Sequence, residues 1–296
     1  MLAILPFPNI DPILLSFQIM GHNFAVHWYA ISYIIGFLSA WAWMRFEINR
    51  LSLWVNQTPP LTKKHIEDAL TWMIIGTILG GRLGYVLFYQ FDSFLIDPLR
   101  ILRVWEGGMS FHGGFIGVIL SAIFYCQKNN LNPWSVGDLI ASSSCFGLFF
   151  GRIANFANAE LWGRQTDMPW AIAFPTQAAQ NCGQVLGELC GRHPSQLYEA
   201  TLEGLILFAV MAFLIFKRHW FKVPGQIIGV FFIGYGLARV FVEGFRQADP
   251  QFIGLENPMG YIIHLDNFGL TMGQTLSIPM ILIGFTIIYI ARSRAE

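Results

Sequence analysis

GRIANFANAELWGR, residues Gly151 to Arg164, closes an apolar run that begins near Val136. The run is long enough to cross a bilayer, and its far end carries Arg152, Asn155, Asn158 and Glu160. A permanently charged side chain at the centre of a membrane helix costs roughly 2.5–3.5 kcal/mol on insertion scales, so such a residue needs a reason to be there. Working outward from this segment, apolar runs recur at 25–45, 69–90, 113–127, 137–158, 197–217, 226–245 and 272–291. Most reach the roughly 20 residues that span a hydrocarbon core. The short third run is expected to extend at one end. Continuous runs without strand alternation indicate helices, since only helices and closed barrels satisfy their backbone in lipid. The expected class is all-α: a polytopic integral membrane protein with seven transmembrane helices, one transmembrane domain over residues 1–296, and outward loops at 91–112, 159–196 and 246–271.

Composition agrees with this reading. The chain is 54% hydrophobic and 12% charged, about half the charge of a soluble domain. A formal net charge of zero excludes the basic footprint of a nucleic-acid-binding protein. One set of connections holds Arg45, Arg50, Lys63, Lys64, Lys128, Lys217, Arg218, Lys222, Arg292 and Arg294. The other holds Arg100, Arg103, Arg164, Arg192 and Arg246 over much longer loops. The positive-inside rule then places the N-terminus outside, on the periplasmic face, and the C-terminus in the cytoplasm. The first twenty residues lack a basic n-region and are not expected to be a cleaved signal peptide. Cys126 and Cys145 fall within spans and read as small buried hydrophobes. Cys182 and Cys190 share an outward loop, where a disulfide is permitted but not required.

In this orientation the unusual polar residues share one depth. Arg82 lies in the second half of helix two, the Arg152 group late in helix four, and Tyr235, Arg239, Glu243 and Arg246 late in helix six. The outer ends of helices one, three and five carry His27-Trp28-Tyr29, Phe111-His112-Gly113-Gly114 and His193 to Glu199. The helix-six set is spaced four, four and three, a stripe about 80° wide at helical pitch. Such a stripe faces the bundle or a cavity rather than lipid. Arg239 and Glu243 also fit a plain structural ion pair at i, i+4.

Guanidinium matches phosphate oxygens with a planar fork and stays charged when buried, so Arg152 and its neighbours suit a phospholipid phosphate. Asn155 and Asn158 serve either a headgroup or interhelical packing. Glu160 either orients an arginine or is an ordinary interfacial carboxylate. Arg82 sits in GGRLG (80–84), and small residues recur four apart at Gly113/Gly117, Gly147/Gly151 and Gly225/Gly229, most often a sign of close helix packing. His112 follows the glycine-punctuated segment 105–111, and imidazole can accept a proton near neutrality. Tyr29 doubles as an interfacial belt aromatic. No HExxH, CxxC, Walker or GxSxG pattern appears, nor any metal-ligand spacing, so neither metal nor cofactor is expected. No Ser or Cys stands beside a histidine; if the chain is an enzyme, its substrate supplies the nucleophile.

Six segments carry a family resemblance: HWYAISYIIGF (27–37), GGRLGYVLFY (80–89), RVWEGGMSFHGG (103–114), GRIANFANAELWGR (151–164), RHPSQLYEA (192–200) and GYGLARVFVEGFRQAD (234–249). In this order and nearly end to end they resemble the bacterial prolipoprotein diacylglyceryl transferases. Ala154 stands where that family's pattern has glycine, and the loop from about 165 to 191 looks shorter than in some relatives. The resemblance implies an inner-membrane enzyme that moves a diacylglyceryl group from phosphatidylglycerol to the lipobox cysteine of a preprolipoprotein, giving a thioether and glycerol 1-phosphate. It implies Arg152 and Arg239 on the phosphate with Arg246 near the mouth, and His112 taking the thiol proton with help from Tyr29. Asn155, Asn158, Glu160, Tyr235 and Glu243 would position the headgroup or the arginines, with Arg82 as a further substrate contact. Two other readings compete. A transporter of an anionic solute would place its charges near the midplane, and a scaffold gripping anionic lipid would perform no transfer.

Overall fold

The structure is a computed structural model that describes residues 4–19, 22–89, 97–103, 107–182, 188–254, 256–265 and 268–295. It is mostly helical. The long helices are α1 (Trp28–Asn49), α2 (Lys63–Tyr89), α3 (Phe111–Lys128), α4 (Pro133–Ala157), α5 (Ser195–Arg218), α6 (Gln226–Val242) and α7 (Met272–Ser293). Each overlaps one of the apolar runs, and α3 extends the short third run at both ends. Among the described residues, four segments are long and apolar enough to cross a membrane: Lys63–Leu87, Pro133–Ala157, Ser195–Arg218 and Met272–Ser293; Gly113–Lys128 and Gln226–Val242 are shorter. Leu79, Leu83 and Leu87 on α2 and Leu282, Phe285 and Tyr289 on α7 keep large apolar side chains exposed at helical spacing. Water would penalise such faces and lipid would cover them.

Sequence reading missed the three small sheets found among the described residues. Ile13–Ile19 pairs antiparallel with His22–His27, Tyr261–Leu265 with Phe268–Thr271, and Leu5–Pro6 runs parallel to Ile172–Ala173. Strands this short disappear in a window averaged over about 19 residues. The first hairpin also explains why α1 begins at Trp28 rather than at residue 25.

The chain divides into two compact units, residues 44–140 and residues 1–43 with 141–296. In the first, α2 packs on α3 with almost no side chain between them. A Cβ at Gly117 would strike the carbonyl of Gly76, and one at Gly84 would lie 2.8 Å from Gly113 Cα. This is the small-residue packing that allows membrane helices to approach closely. Gly117→Leu should therefore lower the melting temperature in detergent, with a destabilisation of about 1–3 kcal/mol or more from overpacking.

In the second unit, Trp43 of α1 meets Phe146 of α4 and Phe208 and Phe216 of α5, with ring centroids 6.0, 4.8 and 5.8 Å away. Beyond the opposite end of α4, Phe7, Phe156 and Phe174 pack over Ala159, Ile172 and Ala179. The late part of α4, the start of α5, the end of α6 and the start of α7 meet through side-chain contacts.

Candidate active site

Those four helix ends carry a continuous chain of ion pairs. Arg152 Nη1 lies 3.1 Å from Glu199 Oε2, and Arg152 Nη2 lies 3.6 Å from Glu203 Oε2. Arg239 Nη1 contacts the other oxygen of Glu199, while its Nη2 lies 2.6 Å from Glu243 Oε1. Arg246 Nη1 is 3.8 Å from Glu243 Oε1 and its Nη2 is 3.7 Å from Asp249 Oδ1. Thr271 Oγ1 donates to Glu243 Oε2 at 2.8 Å. Arg152 and Arg239 thus meet on one shared carboxylate. Their side chains keep 17% and 12% of their surface exposed, against 1% and 0% for Glu199 and Glu203. The arginines thus keep some surface exposed, and the two glutamates do not.

Local structure explains the arrangement. Arg152 lies in the late part of α4, and Arg239 sits in the last turn of α6, where a cation opposes the negative end of the helix dipole. In α5 a π-helical segment, Ala200–Ile206, follows Glu199 and contains Glu203; such wide turns concentrate at functional sites. Thr271 caps α7 in a capping box with Gln274. Gly273, in the first turn of α7, leaves the space that the Glu243 carboxylate fills, since a Cβ there would lie 2.8 Å from Glu243 Cγ. Gly273→Ala should push Glu243 off Arg239 and cost roughly 10²-fold in turnover if positioning matters as in other enzymes. Steady-state rates of the folded variant check this.

The signature segment continues past α4 as a strained turn. Ala159 and Leu161 take φ of 53° and 57°, the left-handed region that costs a non-glycine residue about 1–2 kcal/mol. Ser195 Oγ donates to the Leu161 carbonyl at 3.0 Å and Gln196 Nε2 to the Glu160 carbonyl at 2.5 Å. Held from below, Glu160 remains exposed and accepts from Asn155 Nδ2 at 2.8 Å. Asn158 Oδ1 is buried with no hydrogen-bond partner. Tyr29 bonds Tyr33 at 3.1 Å, and its hydroxyl lies in the field of Glu160 and Arg152. Tyr235 stacks on Phe231 at 5.9 Å and feels Glu203, Arg239, Arg152 and Glu199.

The structure brings together Arg152, Asn155, Glu160, Tyr235, Arg239, Glu243 and Arg246, with Tyr29 in the same field. Arg82 is engaged elsewhere. Its guanidinium donates to the carbonyls of Ile101 at 3.0 Å, Gly108 at 3.1 Å and Arg103 at 3.1 Å, and also to that of Gly107. This favours the structural alternative for Arg82, as anchor of the loop leading into α3. His112 lies in the first turn of α3, but its side chain is outside the described residues, as are Trp105 and Glu106.

Sequence reading placed Glu199 at the outer end of helix five without giving it a role, and it overlooked Glu203. They sit four apart at the head of a run scored as apolar, and two carboxylates on one helical face were the signal. Gly273 and Thr271 gave no signal of their own.

An outer frame surrounds the ion pairs. Arg192 stacks on Trp162 at 4.0 Å and donates to the Gly163 carbonyl and to Gln247, both at 3.3 Å. Arg164 Nε donates to the Arg246 carbonyl at 2.9 Å. Burial lowers the proton affinity of His193, which bonds the Tyr198 hydroxyl at 3.0 Å, itself the acceptor for Trp170 at 2.7 Å. A Cys182–Cys190 disulfide, left open by the sequence, closes the loop just before Arg192. For a loop this short the chain-entropy estimate is about 2–3 kcal/mol. Cys182→Ser should lower the melting temperature accordingly, and a reductant should mimic it in the wild type.

Comparison with known proteins shows the family. The family model for prolipoprotein diacylglyceryl transferase matches residues 14–290. A phosphatidylglycerol–prolipoprotein diacylglyceryl transferase of Roseobacter denitrificans is 51% identical over 295 residues, covering 100% of both chains. Proteins of the same name from Ruegeria pomeroyi and Sinorhizobium medicae are 50% and 46% identical, covering 100% and 99% of this chain and 99% and 96% of theirs.

Proposed function

The chain belongs to the prolipoprotein diacylglyceryl transferase family, and from that footing we propose that it moves the diacylglyceryl group of phosphatidylglycerol onto the cysteine thiol of a prolipoprotein. The observation that carries this reading is the convergence of Arg152 and Arg239, from two helices, on one two-oxygen anion. Guanidinium donors that match the two oxygens of a carboxylate also match the two free oxygens of a phosphodiester, which supports this reading.

The chemistry follows from the groups involved. The sulfur of the lipobox cysteine attacks the carbon of the diacylglyceryl group that bears the phosphate ester. A carbon–sulfur bond forms, the carbon–oxygen bond breaks, and glycerol 1-phosphate leaves. Its phosphate gains one negative charge as the ester bond breaks. Preorganised cations stabilise that growing charge without reorganising at the moment of reaction, which is the role assigned to Arg152 and Arg239, with Arg246 beside them. The free thiol, with a reference pKa near 8.5, must also lose its proton. His112 is assigned as the base, with Tyr29 assisting. Asn155, Asn158, Glu160, Tyr235 and Glu243 hold the headgroup or the arginines in place, and Arg82 fixes the loop before α3. Seven spans, an outward N-terminus and a cytoplasmic C-terminus would set this site beneath the periplasmic face of the inner membrane, within reach of both the lipid and a secreted substrate.

Purified protein incubated with glycerol-labelled phosphatidylglycerol and a lipobox peptide tests the proposal. A transferase yields diacylglyceryl-peptide and free glycerol 1-phosphate in equal amounts. Lipid binding or flipping with no modified peptide would overturn it in favour of a scaffold or a transporter.

A further inference from the structure

Glu199 and Glu203 have no direct part in that chemistry, yet both are completely buried. Isolated buried carboxylates are expensive, and arginines that serve only a phosphate would be left bare for it. Glu199 instead gives one oxygen to each arginine, Oε2 to Arg152 at 3.1 Å and Oε1 to Arg239. A lipid phosphodiester is likewise a singly charged anion with two free oxygens. Glu203 is also fully buried, makes no hydrogen bond through either oxygen, and lies 3.6 Å from Arg152 Nη2.

We infer that Glu199 is a positioning residue that occupies the phosphate's seat in the empty enzyme, holds Arg152 and Arg239 at the spacing of one anion, and yields to the phosphodiester when lipid binds. This inference rests on the transferase reading. Charge supports it. Arg152 and Arg239 are both paired with Glu199, and Arg239 and Arg246 with Glu243. An incoming phosphate must therefore compete for guanidiniums already in use. Each guanidinium has five donors, so a displaced carboxylate can remain within the cluster. Such competition limits how tightly the doubly charged product is held and so favours its release.

Glu199→Gln keeps the shape and removes the competing charge. In the full-length protein, the inhibition constant of glycerol 1-phosphate should fall at least about tenfold, because a charge at this range in a semi-buried site is worth more than one power of ten. The KM for phosphatidylglycerol should fall with it, and kcat should also fall as the arginines lose their brace and product leaves slowly. A residue that only supports the fold would raise KM or leave both constants unchanged. A folded Glu199→Gln protein whose inhibition constant is unchanged or raised therefore overturns the inference.

Should that variant fail to fold, infrared difference spectra of the wild type on adding glycerol 1-phosphate decide the matter. A shifted carboxylate band is expected, and an unperturbed carboxylate region overturns the proposal. A wild type that transfers no label to peptide defeats the transferase reading. A wild type that transfers normally while Glu199→Gln keeps its inhibition constant defeats only the role of Glu199.

Discussion

Arg239→Lys should fold and insert normally yet lose at least roughly 10²–10³ in turnover, the range seen when one preorganised donor to a developing anion is removed. Lysine keeps the charge that Glu199 and Glu243 require, but it cannot bridge them, because an ammonium lacks the planar fork that lets Arg239 reach both through Nη1 and Nη2. Arg239→Ala should be inactive as well, but it also strands two buried carboxylates, a loss that typically costs about 3–5 kcal/mol of stability. The lysine variant therefore separates chemistry from folding. Arg152→Ala should abolish transfer on the same grounds, and it additionally leaves Glu203 without its cation. Initial rates with labelled phosphatidylglycerol, measured beside a melting curve for each variant, check both. Near-normal turnover in either would remove the phosphate role from that arginine.

His112→Gln should cost about 10²–10⁴ in rate, the usual contribution of a positioned general base. Glutamine retains a hydrogen-bonding side chain, so a residue that merely bonds a neighbour would be replaced with little loss. The pH profile separates the two cases. A base works only while unprotonated, so the wild-type rate should fall on the acid side and the Gln variant should lose that limb. An unchanged rate across pH would assign the thiol proton to another group.

The helices were legible because length and hydropathy suffice to define them: α2, α4, α5 and α7 stand out by composition alone. Tyr235, Arg239 and Glu243 were legible as a stripe because helical pitch converts spacing into a common face, whereas Arg246 lies past the end of α6 at Val242. What pairs with that stripe was not. Glu199 and Glu203 lie on a different helix, and only the packing of α4, α5 and α6 shows that one carboxylate lies between Arg152 and Arg239. Arg82 illustrates the converse. An arginine in an apolar helix looks alike whether its partner is a phosphate or, as found, a run of backbone carbonyls. The short hairpins and the Cys182–Cys190 bridge depend on contacts between connections, which hydropathy does not register.

The most direct test of the anion site is an experimental structure of the protein with phosphatidylglycerol bound. The phosphate should sit between Arg152 and Arg239, with a free oxygen about 2.7–2.9 Å from a guanidinium nitrogen of each. A headgroup held elsewhere, with both arginines still closed on Glu199, would contradict the account.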